Sequence, residues 1–207
     1  MNTTKAWAES LKVETLDELP PVPGFSKVYA RSAREIAIRA LVLQGVAAVA
    51  YEVPAAPIIG WFKEQSIWES VTPLERNFLL AGKCPAAEQI QHQWKQEAEW
   101  TLFWMIGKVE SLGLPTRCCD TRRLVDEIVP ALGADVREFI DQAELRVPGA
   151  LLAEDDRTYD LWCHVFAAQR RAEKLPTDLN VAVLRERGYA FEWLDGNQDW
   201  DDVTCDA

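Results

Sequence analysis

From Ser32 onward the chain spaces its apolar residues as helices do. Ile36, Ala37, Ala40, Leu41, Leu43, Ala47 and Val49 cover most of one helix circumference before Pro54 and Pro57 interrupt the run. A second piece, Ile58 to Val71, carries Trp61, Phe62 and Trp68. Thr72-Pro73-Leu74-Glu75 then reads as a capping box with proline at the first helical position. The threonine hydroxyl satisfies an orphan amide while Glu75 reaches back to the cap. The helix it opens ends near Gly82, and Cys84-Pro85 starts the next.

Ala86 to Ser111 is the predicted spine. Ile90, Trp94, Ala98, Leu102, Ile106 and Val109 lie along one helical face, and Trp100, Phe103 and Trp104 occupy others. A helix apolar on several sides is wrapped by neighbours, which places this one at the centre. At ~1.5 Å per residue it would run about 39 Å. Downstream, Asp120 is positioned to cap a helix reaching Ile128, and Gly133 to open another carrying Val136, Phe139, Ile140 and Ala143. Val147 to Ala172 begins with Pro148-Gly149 and presents Tyr159, Trp162, Val165 and Phe166. The last helix, from about Asp178 to Asp195, stops at Gly196-Asn197, two residues that tolerate the left-handed conformation. Strict alternation never exceeds about four residues, and no internal repeat is present. The expected fold is all-α: a compact helical domain over residues 31–207, built around a long tryptophan-rich helix. Residues 1–30 form a lead-in with a stiff Pro20-Pro21-Val22-Pro23-Gly24 connector and room for a strand or two around Pro20–Tyr29.

Composition narrows the class. With 48% hydrophobic and 27% charged residues the chain is globular, and nine tryptophans supply large rings to bury. Lys and Arg total 22 against 33 Asp and Glu, a net charge of −11, which argues against a nonspecific nucleic-acid binder. The first twenty residues hold Lys5, Glu9, Lys12, Glu14, Asp17 and Glu18, leaving no signal-peptide core. The longest uncharged apolar stretch, Ala40 to Tyr51, is shorter than the roughly 18 residues of a membrane span. Cys84, Cys118, Cys119, Cys163 and Cys205 are odd in number and irregular in spacing. They suggest neither a disulfide framework nor a zinc knuckle, and fit a reducing cytoplasm. Vicinal Cys118–Cys119 reads as two reduced thiols beside a turn rather than as a strained redox pair.

Candidate chemistry is sparse. There is no GxSxG, Walker A loop or GxGxxG, and no cofactor is expected. The two histidines, His92 and His164, form no helical ligand pair, so a metal would need tertiary assembly. Glu97 lies one turn after Trp94 on a helix expected to be buried, where an unpaired carboxylate is costly. Its structural reading is an ion pair with Arg185/Arg187 or Arg122/Arg123; its functional reading is a general acid or base. The strongest charge feature is the C-terminus. Glu192, Asp195, Asp199, Asp201, Asp202 and Asp206 follow one another without a lysine or arginine, leaving 27 acids against all 22 bases in residues 1–191, a net of −5. Trp200 and Val203 bracket the aspartates and are expected to pin them. The competing readings are a solvated acidic end, an internal lock in which aspartates cap a helix or pair with arginines, and a partner-binding face. Divalent-cation ligation by Asp199, Asp201 and Asp202 is a minor fourth, since the glycine and glutamate of an EF-hand loop are missing.

Three stretches also match a family pattern: Trp94-Lys95-Gln96-Glu97-Ala98 leading into Phe103-Trp104-Met105-Ile106-Gly107, Arg185-Glu186-Arg187 through Trp193-Leu194, and Trp200-Asp201-Asp202-Val203. With Thr72-Pro73-Leu74-Glu75-Arg76 before Phe78-Leu79, they resemble the bacterial family catalogued as domain of unknown function 4272, over roughly Arg31 to the C-terminus. That family's pattern usually continues to Asp-Thr, whereas this chain ends Cys205-Asp206-Ala207. The resemblance implies the domain and carries no activity.

The leading functional expectation is a non-enzymatic, cytoplasmic helical binding domain with a protein partner. Its most concrete form is an immunity-type inhibitor of a basic, nuclease-like toxin. Asp195, Asp199, Asp201, Asp202 and Asp206 would meet that partner, because an anionic face speeds association with a cationic site. The rival is an enzyme whose small acidic or metal site, Glu97, His164 and Asp201, lies between the spine and the last helix. A self-associating structural module is the third class.

Overall fold

The computed structural model describes residues 10, 29–82, 84–175, 178–196 and 198–204. The Pro20–Gly24 connector, nearly all of the lead-in, Asn197, Cys205 and Asp206 lie outside these residues. Eight helices and no strand occur among them, which makes the fold all-α.

Ser32 opens α1 (Ala33–Ala50) with a capping box: its hydroxyl accepts from Glu35 N–H, and the Glu35 carboxylate accepts from Ser32 N–H at 2.8 Å. Helix α2 (Ala55–Glu64) packs against α1 at Gly45, where a Cβ would fall 2.3 Å from Phe62 Cζ. Helix α3 (Pro73–Leu80) begins at the Thr72–Glu75 box as the sequence predicts, and Gly82 at φ +66° follows its end. Helix α4 (Ala86–Met105) is the spine, shortened at its C-terminus. Gly107 at φ +74° ends it, and Lys108 N–H returns to the Phe103 carbonyl. Ile106 and Val109 still point into the core from beyond the helix.

Asp120 caps the short α5 (Thr121–Arg123), which runs into a π-helical turn over Leu124–Ile128. The helix expected from Gly133 is only the five-residue α6 (Arg137–Asp141). Helices α7 (Pro148–Arg170) and α8 (Val181–Leu194) complete the set, α8 being capped by Asn180 rather than Asp178.

The layers run α1, α4, α8, α7, with α2, α3 and α6 around α1. The most completely buried helix is α1, and α4 joins it only from Gln96 onward. Ile90, the first rung of the predicted ladder, is 51% exposed. The central element is thus a pair, α1 against the C-terminal half of α4. A smaller apolar cluster, Leu161, Val165, Leu179 and Leu184, joins α7 to α8. After α8 the chain reverses at Gly196, where φ is +73° and a Cβ would lie 2.4 Å from Ala30 Cβ. Only glycine meets both demands. Residues 198–204 form a hook around a 3₁₀ turn, Trp200–Asp202.

Candidate functional site

The hook is held by Trp200, which is only 5% exposed. Its ring packs edge-on against Tyr189 and Trp193 of α8. The Arg39 guanidinium of α1 lies 5.0 Å from its centroid and Lys95 Nζ of α4 lies 5.8 Å away. Each cation has a buried acid: Arg39 Nη2 meets Glu75 Oε1 at 2.5 Å, and Lys95 Nζ meets Glu186 Oε2 at 2.8 Å. Arg39 Nη1 also donates to the Ser70 carbonyl, and Tyr189 Oη donates to the Trp200 carbonyl. Arg31 stacks on Trp193 and donates to the Gln198 carbonyl at 2.7 Å. Three helices, α1, α4 and α8, therefore converge on one tryptophan, and α3 joins them through the Glu75–Arg39 pair.

Asp201 Oδ2 accepts from Leu74 N–H at 3.1 Å, in the first turn of α3. A carboxylate there answers both the orphan amide and the positive end of the helix dipole. The internal-lock reading thus fits Asp201. Its neighbours differ: Asp199 and Asp202 are exposed, with no side-chain partner among the described residues. Asp195 is half-buried at the end of α8. Two clefts flank Leu74, Trp200 and Asp201. One, of about 650 Å³, is lined by Arg31, Glu35, Arg39, Glu69, Asp199 and Asp202; the other, of about 490 Å³, lies between α3, α4 and α8.

Glu97 does not pair as expected. Its Oε1 accepts from Cys119 N–H at 2.6 Å, and its Oε2 has no hydrogen-bond partner among the described residues. Arg187 is near enough to favour its charge, but donates to the Leu112 and Gly113 carbonyls, each at 2.7 Å. Arg122 and Arg123 instead face Asp126 and Glu127 at the surface, and Arg185 bonds to Glu186. Burial pushes the Glu97 carboxyl up, against the Cys119 amide and Arg187. Burial and the Glu97 carboxylate push the Cys118 and Cys119 thiols up, which disfavours the nucleophilic thiolate.

The set Glu97, His164 and Asp201 is not brought together. Glu97 faces Cys119, Asp201 faces α3, and His164 sits half-buried on α7 with Nδ1 unpaired. Among the described residues no three His, Cys, Asp or Glu side chains are grouped to hold a metal. That corrects the assembled acid or metal site. The histidine that lines a cleft with Asp201 is His92. Sequence reasoning also missed Arg39, Lys95, Glu186 and Glu99. The available signal was a charged residue inside an apolar run, as Arg39 is between Ile38 and Ala40.

A family model described as a domain of unknown function (DUF4272) matches residues 1–203, and the chain belongs to that family. The match includes the first thirty residues, which the resemblance had left uncovered. No curated protein and no solved structure matches the chain. Among the described residues no helix is long and apolar enough to cross a membrane.

Proposed function

We propose that this member of the DUF4272 family is a non-enzymatic, cytoplasmic binding domain for a basic protein. In its most concrete form it is an immunity-type inhibitor that covers the cationic site of a toxin such as a nuclease. The observation that carries this reading is the contrast on the hook: Trp200 is buried while Asp199 and Asp202 stand exposed and unpartnered beside the larger cleft. Acids held on a pinned turn lose less freedom on binding than acids on a loose tail. Their field also steers a cationic partner toward the cleft. Arg31 and Arg39 line the same cleft but are matched by Glu35 and Glu75, so the unmatched charge is negative.

The test is association with a candidate basic toxin of the nuclease type, followed by stopped-flow fluorescence at several salt concentrations. Asp199→Asn with Asp202→Asn is expected to slow association about tenfold at low salt and to flatten its salt dependence. The same charge change made remotely, Glu110→Gln with Glu144→Gln, is expected to alter the rate far less. Equal effects from both pairs, or none from either, would overturn the reading.

A further inference from the structure

The hook is built as a separable arm. Its own hydrogen bonds close it: Asp202 N–H donates to the Asp199 carbonyl at 3.0 Å, and Thr204 N–H to Gln198 Oε1 at 3.3 Å. Its anchors lie on the helical body. Trp200 rests on Tyr189 and Trp193 beside the cations of Arg39 and Lys95, and Tyr189 Oη holds its carbonyl. Asp201 takes Leu74 N–H, the Gln198 carbonyl takes Arg31, and Val203 is buried in the main core cluster. The outer residues Asp199, Asp202 and Thr204 are exposed, and the two clefts open on either side of Trp200. The seat is therefore at the surface, within reach of a segment arriving from outside.

The hook is directed to its own body by the turn at Gly196. Its φ is +73°, its N–H returns to the Trp193 carbonyl at 3.0 Å, and a Cβ would lie 2.4 Å from Ala30 Cβ. The anchors just named that lie on α1, α3 and α4 are far from the hook in sequence, so their geometry is the same whichever copy supplies the hook. A terminal element of this kind is the ordinary unit of domain exchange, and a short hinge decides between the closed and exchanged forms.

We propose that the hook is an exchange arm, and that its seat takes the Trp200–Asp201 segment of a second copy of this chain when the Gly196 turn opens. Exchange keeps the contacts of Trp200, Asp201 and Val203 and gives up the turn and the independence of two chains. The occupant is a second copy because the seat is matched in order by this sequence: an indole on the aromatic shelf and its cations, then a carboxylate at the first turn of α3. Each copy carries a net charge of −11, so two copies approach against repulsion, and salt should favour exchange by screening it.

Gly196→Ala in the full chain tests this. The added Cβ meets Ala30 and a backbone conformation that non-glycine residues rarely adopt, so the closed turn is disfavoured while the seat is unchanged. Light scattering over a concentration series should find the wild type mainly monomeric and Gly196→Ala dimeric, with an association constant larger by about tenfold or more. Added salt should raise the dimer fraction. Gly196→Ala combined with Trp200→Ala should be monomeric, because the arm has lost its anchor. A folded but monomeric Gly196→Ala overturns the proposal, as does a dimer that survives Trp200→Ala.

A labelled, capped peptide of residues 198–204 keeps the test decisive should Gly196→Ala fail to fold. It should saturate the full chain carrying Trp200→Ala, and bind the wild type, whose seat is filled, about tenfold more weakly or worse. No saturable binding, or equal binding to both chains, overturns the proposal. Peptide binding beside a folded, monomeric Gly196→Ala also overturns exchange, and assigns the seat instead to a Trp-Asp segment of a different protein. Asp199 and Asp202 are unchanged in every variant. Salt weakens association with a basic partner and strengthens exchange, so failure of one reading is distinguishable from failure of the other.

Discussion

Arg39 on α1 and Glu99 on α4 belong to the two helices that form the core, at 4% and 0% exposure. Arg39 reaches Glu75, the Ser70 carbonyl and the face of Trp200, all distant from it in sequence. Neither oxygen of Glu99 has a hydrogen-bond partner among the described residues, and burial pushes its carboxyl well above the usual range. The first centre uses its ion pair to fix where α3 and the hook sit. The second is pushed toward its protonated form, because among the described residues no counter-ion compensates the loss of water. Burial alone therefore does not identify a lock; the partner set does.

The largest expected effect is on the paired centre. Arg39→Ala leaves Glu75 buried without its cation and should cost about 3–5 kcal/mol. In a chain of this size that lowers the melting temperature by roughly 10 °C. Replacing both partners, Arg39→Met with Glu75→Leu, should recover all but the capping contribution of Glu75, about 1 kcal/mol. Urea denaturation of the singles and the double measures this. A double variant as unstable as Arg39→Ala would show that the pair does more than compensate itself.

The unpaired centre should respond in the opposite direction. Glu99→Met removes a desolvated carboxyl from an apolar site and should stabilise the protein at neutral pH by about 1–3 kcal/mol. The pH dependence carries its sign. With a folded value above the unfolded one near 4.5, the carboxyl's contribution is fully present below 4.5 and is lost as pH rises through the folded value. The slope is about 1.4 kcal/mol per pH unit for one proton. Glu97 and Glu154 are shifted the same way and Asp160 is pushed up to about 6, so the wild type should lose stability above pH 4.5 more steeply than Glu99→Met. Identical slopes would mean that Glu99 is not the buried acid described.

How far these centres can be read from sequence differs for a physical reason. The Thr72–Glu75 box and the Gly196 stop are local, set by residues within one turn, and both were legible. So was burial of Trp200. The Arg39–Glu75 contact spans 36 positions and the Asp201–Leu74 contact spans 127, and no spacing rule encodes either. Glu97 was legible as buried, but its partner is a backbone amide at Cys119, which carries no residue-type signal. The spine was overextended because Ile106 and Val109 keep the helical spacing of apolar positions beyond a helix that Gly107 has already ended.

The smallest expected effect on stability bears most directly on function. Asp199, Asp201 and Asp202 are chemically alike and lie within four residues, yet among the described residues only Asp201 has a side-chain partner, at Leu74 N–H. Asp201→Ala should therefore cost about 1 kcal/mol, the ordinary value of a lost helix cap. Asp199→Asn with Asp202→Asn should stay within about 0.5 kcal/mol of the wild type in thermal denaturation, since neither carboxylate holds a neighbour. Relief of mutual repulsion among the three acids would push that pair toward slight stabilisation, most visibly at low salt. If it instead destabilises as much as Asp201→Ala, all three acids belong to the clasp around Trp200. The hook would then offer no spare anionic surface for a basic partner.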